Sequence, residues 1–193
     1  HAGTPLPADY SFQVRQLCDE FGLALHLDGA RLFNAAVAQN ASPMAIAEHF
    51  DSVSICLSKG LGAPVGSLLV GTAELIKVAR RWRKVLGGGM RQGGIVAAGG
   101  LYALTHHVND LVLDHQRAER LASVLESRFG ADTVRLATNM IHLDLPPVSY
   151  DKLVLWLMDS GITVGRPRWV FHRDIDDNAE AKLCDRISSF RDS

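Results

Sequence analysis

The residues best able to perform chemistry follow short apolar segments or lie in glycine-rich turns. Lys59 follows Ser58 just after residues 52–57, a β-branched and apolar segment that predicts a buried strand. Three glycines follow it closely: Gly60, Gly62 and Gly66. Glycines let a backbone approach a ligand, and a lysine removed from water becomes a nucleophile suited to Schiff-base chemistry. Lys59 is therefore a candidate nucleophile, and an exposed turn lysine is the alternative.

Asp28 ends another short apolar segment, residues 23–28, which also predicts a buried strand. A carboxylate at the end of such a strand could hold a cation, such as a protonated ring nitrogen. Two simpler interpretations remain open. Asp28 could cap a helix that starts at Ala30, or it could pair with Arg31, three residues further on.

Two arginines are candidates for binding anions. Arg91 lies in the segment Gly-Gly-Gly-Met-Arg-Gln, where backbone N–H groups and a guanidinium could hold phosphate oxygens. Three glycines in a row are also simply a flexible break. Arg168 precedes the apolar residues 169–171, where an arginine is either a solvated strand end or a bidentate clamp for a carboxylate. His26, inside its apolar segment, is expected to be a core residue rather than a base.

The elements around these residues alternate between helix and strand, which is typical of α/β proteins. Apolar spacing predicts helices over residues 10–21, 30–39, 43–50, 72–86 and 95–106, and strands over residues 23–28, 52–57 and 67–70. From residue 109 the pattern changes to a compact α+β unit. It has helices over residues 109–129, 150–159 and 179–190, and strands over residues 134–137, 140–145, 162–164 and 168–172. Asp9 is expected to cap the first helix, and Gly22 to follow its end. We therefore expect two domains, residues 1–108 and residues 109–193.

Composition excludes several partners and sites. The 193 residues contain 20 Lys+Arg and 21 Asp+Glu, so no excess of positive charge favours nucleic acid or an anionic membrane. The longest nearly uncharged apolar stretch, residues 93–104, is too short to span a bilayer. Three cysteines without a Cys-x-x-Cys pair indicate neither a disulfide framework nor a zinc site. We expect no metal and a reducing, cytoplasmic location.

Several segments, taken together and in order, resemble the low-specificity threonine aldolases. These segments are His-Leu-Asp-Gly-Ala-Arg (26–31), Leu-Ser-Lys-Gly-Leu-Gly-Ala-Pro-Val-Gly (57–66), Gly-Gly-Gly-Met-Arg-Gln (87–92), Thr-Asn-Met (138–140) and Arg-Trp-Val-Phe-His (168–172). In that family the last pattern usually reads Arg-Leu-Val-Thr-His, so Trp169 and Phe171 depart from it. The opening residues 1–7 are similar to the end of the family's Glu-Asn-Thr-His segment. The chain resembles the C-terminal portion of such an enzyme, since family members are roughly twice as long.

The resemblance implies a fold and a set of site residues. The fold is that of pyridoxal-phosphate enzymes of fold type I: the C-terminal part of a large α/β domain with a mainly parallel sheet, followed by a small α+β domain. Lys59 would bind pyridoxal 5'-phosphate as a Schiff base, and Asp28 would pair with its ring nitrogen. Ser58 and Arg31 would also contact the cofactor. Arg91 would bind its phosphate from across a subunit interface, and Arg168, with Arg31 nearby, would bind the substrate carboxylate.

The reaction implied is cleavage of the Cα–Cβ bond of threonine or allo-threonine to glycine and an aldehyde. The resemblance further implies a homodimer or homotetramer at full length. Two alternatives stay open. One keeps the fold but changes the reaction to transamination, racemisation or β-elimination. The other is a truncated, inactive chain that acts as an interaction or dimerisation module, because the missing part would contain the phosphate cup and the histidine that stacks on the ring.

Overall fold

The chain folds into two compact units. The computed structural model describes residues 2–7 and 9–192. The N-terminal unit is Leu6–Leu111, and the C-terminal unit combines residues 2–5 with residues 112–192. Residues 2–5 join the C-terminal unit through hydrogen bonds: Thr138 Oγ1 donates to Gly3 O at 3.1 Å, and His142 Nε2 lies 3.1 Å from Ala2 O. By contacts the chain thus divides after Leu111, whereas the sequence-based division puts the boundary at residue 109 and residues 1–5 in the first domain.

The N-terminal unit combines helices with a three-stranded sheet. Its elements are α1 (Tyr10–Glu20), β1 (His26–Asp28), α2 (Leu32–Ala38), α3 (Pro43–Ala47), β2 (Ser52–Cys56), β3 (Ser67–Gly71), α4 (Ala73–Val85) and α5 (Gly94–His106). The strand order is β1-β2-β3. β1 and β2 are parallel, with Asp28 opposite Ser54, and β3 runs antiparallel to β2. The described sheet is therefore mixed, with one parallel and one antiparallel pair.

Burial in this sheet is concentrated on its central strand. Val53 and Ile55 of β2 are buried and pack in one cluster with Leu32 of α2. β1 is an edge strand of three residues, and its His26 and Asp28 are exposed. The prediction of a buried strand over residues 23–28 is therefore wrong for this chain: only residues 26–28 form a strand, and none of residues 23–28 is buried. β3 is exposed along its whole length.

The helix boundaries follow local signals. Ser42 and Thr72 cap α3 and α4 by accepting the N–H groups of Ala45 and Leu75. Asp9 occupies the N-cap position of α1 as expected, but its carboxylate accepts from the Gln13 side chain instead of a backbone N–H. Side-chain caps thus mark the starts of α3 and α4, and α3 is three residues shorter than predicted.

The C-terminal unit packs helices on one face of an antiparallel sheet. Its elements are α6 (Leu111–Phe129), a 3₁₀ turn (Ala131–Thr133), β4 (Val134–Ala137), β5 (Met140–Leu143), α7 (Pro147–Met158), β6 (Arg168–Val170) and α8 (Asp177–Ser188). The strand order is β4-β5-β6. Its core includes side chains that are fully buried, among them Leu121, Leu125, Ile141, Leu153, Leu157 and Ile187. Within the described ranges, no helix combines the length and apolar character needed to cross a membrane.

Residues 162–164 do not form the predicted strand. Gly161, with a φ of 71°, ends α7, and the Ile162 N–H donates to Leu157 O at 3.0 Å. Ile162 and Val164 are partly buried against the core without joining the sheet. Here the alternation of apolar residues reflects burial of their side chains, and the backbone does not pair with another strand.

Candidate active site

Asp28 and Lys59 leave the sheet of the N-terminal unit at the same edge. β1 and β2 are parallel, so their carboxyl ends meet at one edge. Asp28 is the last residue of β1, and β2 ends at Cys56, three residues before Lys59. In open α/β sheets, ligands bind beyond the carboxyl ends of the strands. The fold thus brings a carboxylate and an amine to the place where such a protein binds its ligand.

The position of Asp28 depends on the glycine that follows it. A Cβ atom on Gly29 would lie 2.8 Å from Ser54 O, so a side chain at this position is not tolerated without a shift of backbone. Asp28 Oδ1 accepts the Ala30 N–H at 3.1 Å. The N-cap position of α2 is occupied by Arg31, which is half-buried. The interpretation of Asp28 as the cap of this helix is therefore wrong.

A hydrogen-bonded loop positions Lys59. Lys59 O accepts the Gly62 N–H at 2.8 Å, and Leu57 N–H donates to Gly66 O at 3.0 Å. The loop also contacts other residues of the N-terminal unit. Leu61 O lies 2.6 Å from His107 Nδ1, and a Cβ atom on Gly60 would be 2.9 Å from Leu111 Cδ2. Lys59 therefore extends from a defined turn rather than from a flexible tail.

The side chains of Ser58 and Lys59 are exposed. Leu57, Gly60 and Leu61 take the buried positions of this loop, so the two residues between them face away from the core. The expected removal of Lys59 from water is not observed in this chain.

Arg91 lies in the exposed segment between α4 and α5. The glycines before it serve the end of α4: Gly88 N–H donates to Arg83 O at 2.8 Å, and Gly87 N–H lies 3.2 Å from Lys84 O. Part of this glycine run is thus explained by helix termination. Phosphate binding by Arg91 remains a prediction.

Arg168 belongs to the C-terminal unit, where it is the first residue of β6 and is exposed. His142 of β5 lies directly opposite Arg168, and Arg135 of β4 lies directly opposite His142. Sequence reasoning did not single out Arg135 or His142, because only the pairing register of three strands brings them into one row. His26 was expected in the core, but it is exposed, with Nδ1 2.8 Å from Ser52 Oγ.

Comparison with known proteins relates this arrangement to a family. A profile of the beta-eliminating lyase family matches residues 1–146. The low specificity L-threonine aldolase of Escherichia coli K12 is 52% identical over 143 residues, 74% of this chain and 43% of that protein. The low-specificity L-threonine aldolase 1 of Arabidopsis thaliana is 39% identical over 183 residues, 90% and 51% of the two chains. The structure of Leishmania major threonine aldolase matches with a TM-score of 0.75 and 19% identity, over 97% of this chain and 57% of that one.

These comparisons confirm the predicted resemblance and the α/β, fold-type-I class. The chain spans about half the length of the curated relatives it matches, 43% and 51% of the two named above. The family match includes Asp28, Lys59 and Arg91, whereas Arg168 lies beyond it. The similarity of the opening segment includes His1, which lies outside the described residues. Since the family profile matches most of the sequence, the chain belongs to the beta-eliminating lyase family.

Proposed function

We propose that the protein is a pyridoxal-phosphate-dependent lyase that cleaves the Cα–Cβ bond of threonine, allo-threonine and related β-hydroxy amino acids. The products are glycine and an aldehyde, which is acetaldehyde for threonine. The observation that supports this proposal most directly is the meeting of Asp28 and Lys59 at the carboxyl edge of the parallel pair β1–β2. The names of its relatives favour this reaction over the alternative of an inactive interaction module.

The side chains of the N-terminal unit suit the chemical groups of this cofactor. When bound, pyridoxal phosphate supplies an aldehyde carbon and a ring that accepts the electron pair of a breaking bond. Lys59 offers an accessible amine for the aldehyde on a well-defined turn. Asp28 accepts one backbone N–H, and a carboxylate has further acceptor capacity with which it can hold a proton on the ring nitrogen. Ser58 is exposed beside Lys59, and we assign it to the cofactor site as well.

Three arginines complete the assignment. We assign Arg91 to the cofactor phosphate, from across a subunit interface, because a guanidinium binds phosphate through two parallel hydrogen bonds. Arg168 binds the α-carboxylate of the substrate in the same bidentate manner and so fixes which bond to Cα is broken. Arg31 contacts either the cofactor or the substrate. Asp28 and Lys59 are the catalytic residues of this proposal.

Reductive labelling tests the assignment of Lys59. The intact-length protein is incubated with pyridoxal phosphate and reduced with borohydride, and the labelled peptide is identified by mass spectrometry. We expect the label on Lys59, and its loss in Lys59→Arg, which keeps the charge but removes the reactive amine. Lys77→Arg, at an exposed lysine of α4, is the matched control and should retain the label. Label on other lysines but not on Lys59 would refute the assignment.

Product analysis separates the proposed reaction from others of the same fold. An aldolase releases glycine and acetaldehyde in equal amounts from threonine or allo-threonine, whereas transamination or β-elimination yields no acetaldehyde. Formation of a keto acid without acetaldehyde would refute the proposed cleavage reaction. It would remain compatible with pyridoxal phosphate as the cofactor.

Assembly and location follow as further proposals. α4 contains no buried residue, and its apolar side chains Val78, Trp82 and Val85 are 56%, 57% and 63% exposed. Apolar exposure of this kind suits an interface, and we propose a homodimer or homotetramer of the intact protein. The three cysteines, all free, suit a reducing cytoplasm. Light scattering of the intact protein gives its molecular mass and so tests the proposed oligomeric state directly.

A further inference from the structure

One face of the small sheet in the C-terminal unit contains a row of basic side chains. Arg135, His142 and Arg168 lie directly opposite one another on β4, β5 and β6. Residues paired in this way share one face of a sheet and have neighbouring Cβ atoms about 5 Å apart. The next row, in which Leu136, Ile141 and Trp169 pair, belongs to the opposite face, where Ile141 and Trp169 are buried in the core. The basic row therefore occupies the face turned away from the helices.

This row lines an open groove of about 1060 Å³. Arg166 contributes a third arginine to the lining, and Asp132 and Asp144 contribute two carboxylates. Asp144 lies two residues after His142, just beyond the end of β5, and its N–H donates to Thr133 O at 2.8 Å. Among the described residues neither carboxylate forms an ion pair with an arginine of the groove, so the two aspartates reduce its net positive charge without binding a particular guanidinium.

The arginines of the groove form no ion pair with the described residues. Arg135, Arg166 and Arg168 are exposed, and in the part of the chain that the structure describes none of them lies within 4.0 Å of a carboxylate. His142 faces Arg168 on one side and Arg135 on the other, and its Nε2 donates to Ala2 O at 3.1 Å. On protonation, the ring gains a second N–H on Nδ1 that an anion can accept.

We propose that this groove binds a compact dianion, a small dicarboxylate or a phosphate, across Arg135, His142 and Arg168. Arg168 alone can clamp one carboxylate, which is the role assigned to it above. The two further basic groups in register with it extend the site beyond a single carboxylate, so that it takes a ligand with two negative charges. The proposal concerns the C-terminal unit only and holds whether or not the protein cleaves threonine.

Anion titration of the purified chain without cofactor tests the proposal. Malonate and inorganic phosphate are titrated separately at constant ionic strength, with acetate and chloride as single-charge references. Binding is measured by calorimetry and by the shift in melting temperature. We expect saturable binding of malonate, of phosphate or of both, and no comparable saturation by acetate or chloride. Comparison of the malonate and phosphate titrations shows whether the groove prefers a dicarboxylate or a phosphate.

Two matched variants connect the binding to the row. Arg135→Gln removes one guanidinium and should raise the dissociation constant about tenfold, the usual scale for the loss of one charge-assisted hydrogen bond. Arg191→Gln makes the same change at an exposed arginine outside the groove and should leave the constant unchanged. Equal weakening in both variants, or equal responses to acetate and malonate, would overturn the proposal. Failure of Lys59 to label would not affect it, because no cofactor is present.

Discussion

Gly29 lies directly against the backbone of Ser54, so the end of β1 is pressed onto β2. A Cβ atom on Gly29 would come within 2.8 Å of Ser54 O and 3.0 Å of Val53 Cγ1. Because a backbone oxygen cannot swing aside as a flexible side chain can, Gly29→Ala must move β1 away from β2. We expect this variant to lose about 1–3 kcal/mol of unfolding free energy, the usual cost of overpacking. Denaturant titration of the variant and the parent chain measures the loss.

Gly94→Ala is the matched control for this prediction. Apart from its chain neighbours and the nearby backbone of its own helix, no described atom lies within 4 Å of the Cβ position at Gly94, the first residue of α5, and alanine is the better helix former. Its stability should equal or exceed that of the parent. If Gly29→Ala proved equally harmless, the close approach would not determine the position of Asp28.

Much of the arrangement around Lys59 could be predicted from the sequence, because it depends on local signals. Each predicted helix has a counterpart, and the candidate residues Asp28, Lys59 and Arg168 lie at strand ends or just beyond them, as expected. These features follow from apolar spacing and turn residues, which one sequence displays directly.

The features that sequence reasoning missed depend on contacts between distant segments. The strand predicted over residues 162–164 fails because apolar residues can be buried without pairing. His26 is exposed because no described segment covers its side chain, and contact with a distant segment is something the residues of β1 do not reveal. The basic row of Arg135 and His142 requires the register of three strands. Register is specified by the whole fold and by turn geometry, so no local pattern could have indicated it.

Asp51 links α1 to the start of β1, and this link depends on pH. Asp51 Oδ2 accepts the Leu25 N–H at 2.7 Å and an Arg15 guanidinium N–H at 2.9 Å. The Leu25 N–H, and then Arg15, hold the pKa of Asp51 below its usual value of 3.8. A carboxyl whose pKa is lowered by folding stabilises the folded state above its unfolded pKa, and the contribution disappears as pH falls through the folded value.

We therefore expect Asp51→Asn to lower the melting temperature at pH 7 and to approach the parent chain as the pH is lowered below 3.8. Thermal melts of both chains between pH 7 and pH 2.5 measure the difference. Glu20→Gln, at an exposed carboxyl of α1, removes the same charge and should give a much smaller difference at neutral pH. A difference that stays constant across the range would show that charge on Asp51 is unimportant.

Trp169 and Tyr150 form a buried chain of hydrogen bonds in the C-terminal unit. Trp169 Nε1–H donates to Tyr150 Oη at 3.0 Å, and Tyr150 O–H donates to Gly165 O at 2.7 Å. Tyr150→Phe would remove the acceptor of a buried indole N–H and the donor to a carbonyl. We expect it to cost about 1–3 kcal/mol of unfolding free energy, the scale for a buried group left unpaired.

A double-mutant cycle shows whether this cost arises from the pair. Trp169→Leu removes the indole N–H and keeps an apolar side chain at this position. The double variant should be more stable than the sum of the two single losses predicts, by at least roughly 0.5 kcal/mol, because residues in one hydrogen-bond network couple. Simple additivity in denaturant titrations would mean that the two side chains act independently. The cycle therefore measures how much the hydrogen bond to Tyr150 stabilises the indole of Trp169.

Cys184 should react slowly with alkylating reagents at neutral pH, because it is almost entirely protonated. Burial raises the pKa of its thiol to about 11, and the negative charge of Glu180 adds to the effect. Its Sγ lies 3.6 Å from Glu180 Oε1. Since only the thiolate attacks, the rate of alkylation should rise about tenfold for each pH unit between pH 7 and pH 9.5, without a plateau. Iodoacetamide labelling, quantified on the peptide that contains Cys184, measures this rate. In urea the rate for the same peptide should be half-maximal near the ordinary cysteine pKa of about 8.5. A rate that levels off below pH 9 in the folded chain would contradict the raised pKa.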